Sequence, residues 1–356
     1  MYKKKIAFVV PSLRMGGAEK NALNIMNRMN RNKYEIHLIL FEKTGRLMDA
    51  LNEDISIYEV CGKNKLDKAF KLYKIVLSIK PDIIFSTIIN ANILTGLLSI
   101  FYRECLYIGR ETTVHSKLLE KKSFLMKKII TLWYRLFISR LNIIIVQSLF
   151  MKQELVDYFG LDPTKMIVLG NPISTNERFL QQPDKTAPSC IRLLVVGRLV
   201  PLKRIAMLLK VMNRLSTDYH LTIIGDGPER KHLEASIERM KLNNRVTLLG
   251  EVSNPMDQYT CSDLLLVASA YDSYPNVMME ALSVGLRVIA FDVPGAINEI
   301  LSDPVRGRLI SDGDYDAYVQ AIKDEVCSRY SPERVRNSVK DQNWEQYLTK
   351  LEGLLD

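Results

Sequence analysis

Residues 262–300 read SDLLLVASAYDSYPNVMMEALSVGLRVIAFDVPGAINEI. Leu264 to Ala268 is a short apolar run, the length and pattern of a buried strand. Ser269 to Asn276 is turn-rich, and Pro275 suits a first helical position, where its fixed φ and missing N–H are no handicap. Val277, Met278, Ala281 and Leu282 recur at helical spacing, so Glu280 lies in a helix that starts near the loop. Gly285 closes that helix and Val288 to Phe291 supplies the next strand. The Pro294-Gly295 turn follows, and Asn298-Glu299 sits near the start of another helix. Such alternation is that of a parallel sheet with helices on its faces.

In an open parallel sheet, ligands bind where strands end and helices begin. The loop at 269–276 is such a place. A helix N-terminus there offers N–H groups and a positive dipole end, which suit a phosphate. Glu280 can accept hydrogen bonds from a pair of ribose hydroxyls, and Asp272 lies eight residues earlier, making the two a candidate polyol clamp. The alternative is that Asp272 caps a loop and Glu280 is a solvated helix residue.

The stretch resembles the signature of the retaining nucleotide-sugar glycosyltransferases of family 4, the group 1 glycosyltransferases. That signature has two glutamates separated by seven residues, then an apolar helix, a glycine and a strand. The resemblance implies that Glu280 binds the donor ribose and that Asp272 lies near the donor sugar, with Tyr274, Pro275, Asn276 and Val277 along the donor. Asp272 stands where the family carries glutamate, and Ser273 where it usually carries glycine.

Upstream, Ile191 to Val196 is a strand followed by Gly197-Arg198-Leu199-Val200-Pro201-Leu202-Lys203-Arg204. Arg198 and Lys203 sit five apart across a turn, so both can reach one diphosphate. Arginine forks onto two oxygens and lysine acts as a point charge. The family's diphosphate-binding Arg and Lys fall on these two residues, and its usual glycine after the Lys is replaced by Arg204. His220 to Ile224 is a strand ending in Gly225-Asp226-Gly227, a turn that matches the family but is weak as a dinucleotide fingerprint, since the third glycine is missing. Val246 to Leu249 ends in Gly250, and the resemblance places Glu251 and Val252 beside the nucleotide base.

The N-terminal half repeats the alternation. Lys5 to Val10 is a strand, then Pro11 to Glu19 carries the Gly16-Gly17 pair, which permits close backbone approach to a ligand, and a helix runs from Ala18 with Leu23, Met26 and Met29 on its apolar side. Family 4 enzymes very often carry Gly-Gly-Ala-Glu here. Further strands are expected at 35–41, 55–60, 83–86, 106–109, 143–148 and 166–169, with a helix at 66–79 ended by Pro81. Residues 83–102 hold no charge over twenty positions, but Ser86, Thr87, Asn90 and Asn92 break them into a strand and a helix, not a membrane span. After the strand at 106–109, Arg110, Glu111 and His115 fall where charged groups face a ligand, and the resemblance implies a functional His or Arg near the donor sugar and the acceptor hydroxyl.

Residues 116–141 set Lys117, Lys121, Lys128 and Arg135 near one helical face and Leu118, Leu125, Ile129, Leu132 and Leu136 on another. Phe124, Trp133, Tyr134 and Phe137 add interfacial aromatics, the pattern of a membrane-surface helix. A core-packed helix with a solvated lysine face is the alternative. Charge points toward the membrane: residues 1–180 carry 28 Lys/Arg against 16 Asp/Glu, or +12, and residues 181–356 carry 21 against 24, or −3, giving the net +9. A basic half beside a near-neutral half suggests different partners for the two, a membrane surface or anionic acceptor among them. No recognised nucleic-acid module accompanies the charge.

At 356 residues two domains are the default, and a hydrophobic content of 47% with 25% charge is that of an ordinary globular chain. Five scattered cysteines, an odd number without metal-ligand spacing, fit free thiols in a reducing compartment. The apolar run Ile6 to Val10 is too short for a signal peptide. The expected plan is the GT-B type: two Rossmann-like, doubly wound parallel-sheet domains facing across a cleft. The first spans 1–173, a polar linker 174–189, the second 190–330, and a C-terminal helix at 331–356 crosses back.

The implied activity is retaining glycosyl transfer from a nucleotide-diphosphate sugar, UDP-sugar favoured, to a lipid-linked glycan acceptor of bacterial surface polysaccharide. Asp272, Arg198, Lys203 and His115 are the catalytic candidates, with no metal or other cofactor. A cytoplasmic, peripherally membrane-associated location follows from the same reading. A nucleotide-sugar epimerase and a non-catalytic scaffold share the architecture.

Overall fold

Among the described residues, thirteen short strands, most of them apolar runs, account for the framework of the computed structural model, which describes residues 2–14, 16–62, 64–120, 122–174, 190–328 and 330–355. The expected linker falls almost wholly on 175–189, outside the described residues, as does Lys121. The chain divides into two units, Met1–Asn171 with Tyr347–Asp356, and Pro172–Gln346.

The first unit contains β1 (Lys4–Val10), β2 (Tyr34–Leu40), β3 (Ser56–Glu59), β4 (Ile83–Thr87), β5 (Leu106–Arg110), β6 (Ile143–Val146) and β7 (Met166–Val168). They form one sheet in the order β3-β2-β1-β4-β5-β6-β7, every described pairing parallel. Central strands are apolar on both faces, as a sheet covered on both sides requires: Ile6 to Val10 are all fully buried. The uncharged stretch at 83–102 resolves into β4 and the helix Ile89–Leu98. No helix among the described residues is long and apolar enough to cross a membrane.

The second unit contains β8 (Ile191–Val196), β9 (Tyr219–Ile224), β10 (Val246–Gly250), β11 (Leu264–Val267), β12 (Val288–Asp292) and β13 (Gly307–Ser311). Their order is β10-β9-β8-β11-β12-β13, again parallel. The order reverses between β8 and β11, so the loops after these two strands flank a topological switch point, where open α/β sheets bind ligands.

Two expected helices are corrected. The stretch 116–141 is broken: one helix spans His115–Glu120, a second Phe124–Leu136, and a single turn of 3-10 helix Ile138–Arg140. Ser123 causes the break, since its side chain accepts from the Met126 N–H and caps a new helix start. The tail from 331 is likewise divided into helices Pro332–Asn337 and Trp344–Glu352, and only Tyr347–Asp356 count with the first unit. There Lys4 Nζ donates to the Leu355 carbonyl at 2.9 Å and Lys33 pairs with Glu352 at 3.1 Å.

Candidate donor site and the families it matches

The site of the second unit is built from the loops after β8 and β11. β8 ends at Val196, and Gly197, with a φ of +155°, turns the chain into Arg198. One turn of 3-10 helix, Pro201–Lys203, then presents Lys203. After β11, Asp272 is pinned by its backbone: its N–H donates to the Pro294 carbonyl at 3.1 Å, and its carbonyl accepts from Ala296 N–H at 2.9 Å. This isolated bridge to Gly295 requires glycine, because a Cβ at Gly295 (φ +124°) would collide with the Asp272 carbonyl. Ala270 N–H donates to the Leu202 carbonyl at 2.9 Å and ties the two loops together.

Against that fixed backbone, Lys203 Nζ donates to Asp272 Oδ2 at 2.6 Å, with both side chains still partly open to solvent. Arg198 is exposed, and its side chain has no ion pair or hydrogen bond among the described residues. The site therefore holds one cation engaged by a carboxylate and one available to an incoming anion. The helix Asn276–Ser283 follows Pro275, one residue later than expected, within the ordinary spread of helix boundaries. No side chain caps its start.

Glu280 is half-buried on that helix, and Tyr259 Oη donates to its Oε2 at 2.9 Å. Tyr259 is fully buried; burial first, then the neighbouring carboxylate, push its hydroxyl well above the usual tyrosine range. The hydroxyl thus stays protonated, a permanent donor that fixes one oxygen of Glu280. No motif marks Tyr259, which sits on the helix Met256–Cys261, 21 residues upstream. Arg204 is the second residue missed. It occupies the left-handed region (φ +48°), where the family's glycine would be at ease. Its guanidinium donates to the carbonyls of Ala268 (2.6 Å) and Ser269 (3.0 Å) and pairs with Asp312 at 2.7 Å, anchoring the end of β11.

Other expected donor contacts take different places. Gly225 (φ +133°) and Gly227 (φ +156°) face protein backbone: a Cβ at either would strike the Gly197 or Leu199 carbonyl. They let the loop after β9 lie against the loop that carries Arg198, with Leu199 N–H donating to the Asp226 carbonyl at 2.9 Å. Asp226 Oδ1 accepts from Gly227 N–H at 2.6 Å. The Tyr274 hydroxyl donates to Gln342 Oε1 at 2.6 Å, so it holds the chain's tail rather than standing free. Pro275 is buried, Asn276 and Val277 half-buried, and Glu251 and Val252 exposed after β10.

In the first unit the expected acceptor-side residues take an enclosed position. Arg110, Glu111 and His115 do sit at and just after the end of β5, but their side chains are enclosed rather than presented. Glu111, fully buried, accepts from Asn92 Nδ2 (2.7 Å) and the Tyr134 hydroxyl (3.2 Å) and lies 3.3 Å from His115 Nε2. Glu154 accepts from the backbone N–H of His115 (2.8 Å) and Ser116 (3.0 Å). Arg110 donates to Asn171 Oδ1, which also accepts from Gln147 at 2.7 Å. The cluster is closed off but not fully satisfied: Arg110 Nε and Nη1 and His115 Nε2 are buried without a hydrogen-bond partner among the described residues, which the polar sequence of the loop alone does not reveal. Gly16 is the N-cap of the helix Gly17–Arg28, and the Glu19 side chain folds over it.

Two family models match the chain, one described as Glycosyltransferase Family 4 over residues 15–177 and one as Glycosyl transferases group 1 over residues 179–342. The N-acetylgalactosamine-N,N'-diacetylbacillosaminyl-diphospho-undecaprenol 4-alpha-N-acetylgalactosaminyltransferase of Campylobacter jejuni is 26% identical over 90% of this chain and 89% of its own. An uncharacterised glycosyltransferase of Methanocaldococcus jannaschii is 28% identical over 75% and 71%. Among solved structures, the apo lipopolysaccharide outer core galactosyltransferase WaaB has a TM-score of 0.81 at 18% identity, covering 98% of both chains. The Anabaena Alr3699/HepE complex with UDP has a TM-score of 0.82 at 18% identity, covering 99% of both. With its two parallel-sheet α/β units and these matches over nearly the whole chain, the protein belongs to the group 1 glycosyltransferases of the GT-B fold.

Proposed function

We propose that this glycosyltransferase moves a sugar from a UDP-sugar to a lipid-linked glycan acceptor, with retention of configuration and without a metal ion. The observation that carries the reading is the exposed Arg198 beside the Lys203–Asp272 pair at the sheet's switch point. In transfer, the bond from the anomeric carbon to the diphosphate oxygen breaks and a bond to the acceptor oxygen forms. The acceptor proton passes to the departing diphosphate on the same face. Negative charge grows on that diphosphate, and Arg198 and Lys203 stabilise it in place of a metal. Lys203, held by Asp272 in this structure, would turn toward the diphosphate as Asp272 takes up the sugar. Glu280, with one oxygen fixed by Tyr259, keeps the other for the ribose hydroxyls.

UDP is favoured because structures of similar fold hold UDP and UDP-glucose. A lipid-linked acceptor of bacterial glycan assembly is favoured because the Campylobacter relative is named for a diphospho-undecaprenol substrate. It also fits the helix Phe124–Leu136, where Phe124 (73%) and Leu125 (67%) are exposed beside Lys127 and Lys128. An apolar and basic surface of this kind seats on an anionic membrane face.

Thermal shift of the purified protein with UDP, GDP and ADP, with and without EDTA, tests the donor half. UDP is expected to raise Tm with EDTA present, and Arg198→Ala to abolish the rise. A folded protein that no nucleotide stabilises would remove the basis for the site. Flotation with anionic vesicles, lost on Phe124→Ser/Leu125→Ser, tests the membrane half.

A further inference from the structure

A second polar cavity lies in the first unit where β5 and β6 begin, at the end of the sheet away from Arg110. Its volume is about 460 Å³, and its walls include Ser99, Arg103, Cys105, Ser139, Arg140 and Asn142. The size lies within the ordinary range of small-molecule sites.

Its polar chemistry is one-sided. Arg103 and Arg140 are exposed, and neither side chain has a hydrogen bond or ion pair among the described residues. Asn142 uses its Oδ1 to accept from the Tyr107 N–H at 2.8 Å, so its amino group is left to donate. Lys165 is tied to one lining residue, its Nζ donating to the Ser139 carbonyl at 2.8 Å. Among the described residues no carboxylate lines the cavity. The Cys105 thiol brings no negative charge at neutral pH, since burial pushes it up to about 12. Two guanidinium groups line the cavity, and their planar forks suit phosphate oxygens.

We propose that this cavity is a second anion site, distinct from the donor loops of the other unit, that binds a phosphate-bearing ligand. The inference rests on the cavity's own donors and not on the donor reading. A lipid headgroup and a soluble phosphate ester share the required chemistry. The surroundings bear on the lipid source: Phe101, two residues before Arg103, is 67% exposed, and Leu136, three before Ser139, is also exposed.

Calorimetric titration with sn-glycerol 3-phosphate, and co-sedimentation with vesicles of phosphatidylglycerol in phosphatidylcholine, test it. Three proteins are compared: the unaltered chain, Arg103→Gln/Arg140→Gln, and Arg198→Ala/Lys203→Ala. Removing both arginines is expected to weaken binding about a hundredfold, roughly tenfold for each charge-assisted contact. The Arg198→Ala/Lys203→Ala protein should keep this binding, and Arg103→Gln/Arg140→Gln should keep its UDP-induced Tm shift. Dependence on Arg103 and Arg140 only in the vesicle arm names a lipid headgroup, and in the calorimetric arm a soluble ester. Binding in neither arm by a folded chain, binding that Arg103→Gln/Arg140→Gln leaves unchanged, as vesicle binding through Phe124 and Leu125 alone would be, or binding that follows Arg198 and Lys203 instead, would overturn the proposal.

Discussion

The strand ends of the two units carry charge in opposite ways. After β8 and β11, Arg198 is exposed and Lys203 and Asp272 are partly open, while the backbone beneath them is pinned by reciprocal hydrogen bonds. After β5, Arg110, Glu111 and His115 are sealed, each bonded to side chains or backbone of the same unit. Charges left open on a rigid backbone are available to a ligand. Charges enclosed within a unit are held away from solvent, even where, as at Arg110 Nε and Nη1 and His115 Nε2, some atoms find no hydrogen-bond partner among the described residues. Residue type alone does not separate the two cases; enclosure does.

Substitutions sharpen this contrast. The largest effect is expected from Arg198→Ala/Lys203→Ala, which should lower kcat/KM for sugar transfer by about 10² to 10³-fold, the scale of losing preorganised charge stabilisation. Circular dichroism and Tm should stay near those of the unaltered protein, because neither residue supports the core. Glu111→Ala should do the reverse. It removes one of the two acceptors of the Asn92 amino group and one of the two partners of the Tyr134 hydroxyl in a buried cluster, so stability should fall by about 2 kcal/mol, visible as a lower urea midpoint. A Glu111→Ala protein of undiminished stability would show that the sealed cluster is not structural.

Tyr259→Phe removes one hydroxyl that donates to Glu280. UDP affinity should drop about fivefold, near 1 kcal/mol, with kcat almost unchanged. The smallest effect, and the finest test, compares Arg204→Gly with Arg204→Ala. Both lose the guanidinium bonds to Ala268, Ser269 and Asp312, but only glycine relieves the left-handed backbone. Arg204→Gly should therefore be the more stable of the two by about 1 kcal/mol in a thermal melt.

The sheets were legible because most strands, Ile6 to Val10 among them, are apolar runs of a few residues between turn signals. The placement of Arg198, Lys203 and Asp272 in the loops after strands, and of Glu280 on the helix that follows, was legible because glycine turns and strand ends bracket them. Tyr259 was not, since its contact with Glu280 joins two helices through packing that no local spacing records. The break before Phe124 had a local signal in Ser123, outweighed by a continuous amphipathic pattern on both sides. The enclosure of Glu111 and His115 depends on Asn92, Tyr134 and Glu154, which come from three separate helices.

The bridge between Asp272 and Gly295 also governs which sequences this loop pair tolerates. Since the 295 position touches the Asp272 carbonyl with no room for a Cβ, any side chain there displaces the loop that carries the carboxylate. The side chain of residue 272 points from a backbone already set, so its length is free to vary where its position is not. In a randomised library covering both positions, active clones should carry only glycine at 295 while accepting Asp or Glu at 272. Variation at the carboxylate is thus permitted by invariance 23 residues downstream, and a drifting sequence can lengthen that side chain in a single step.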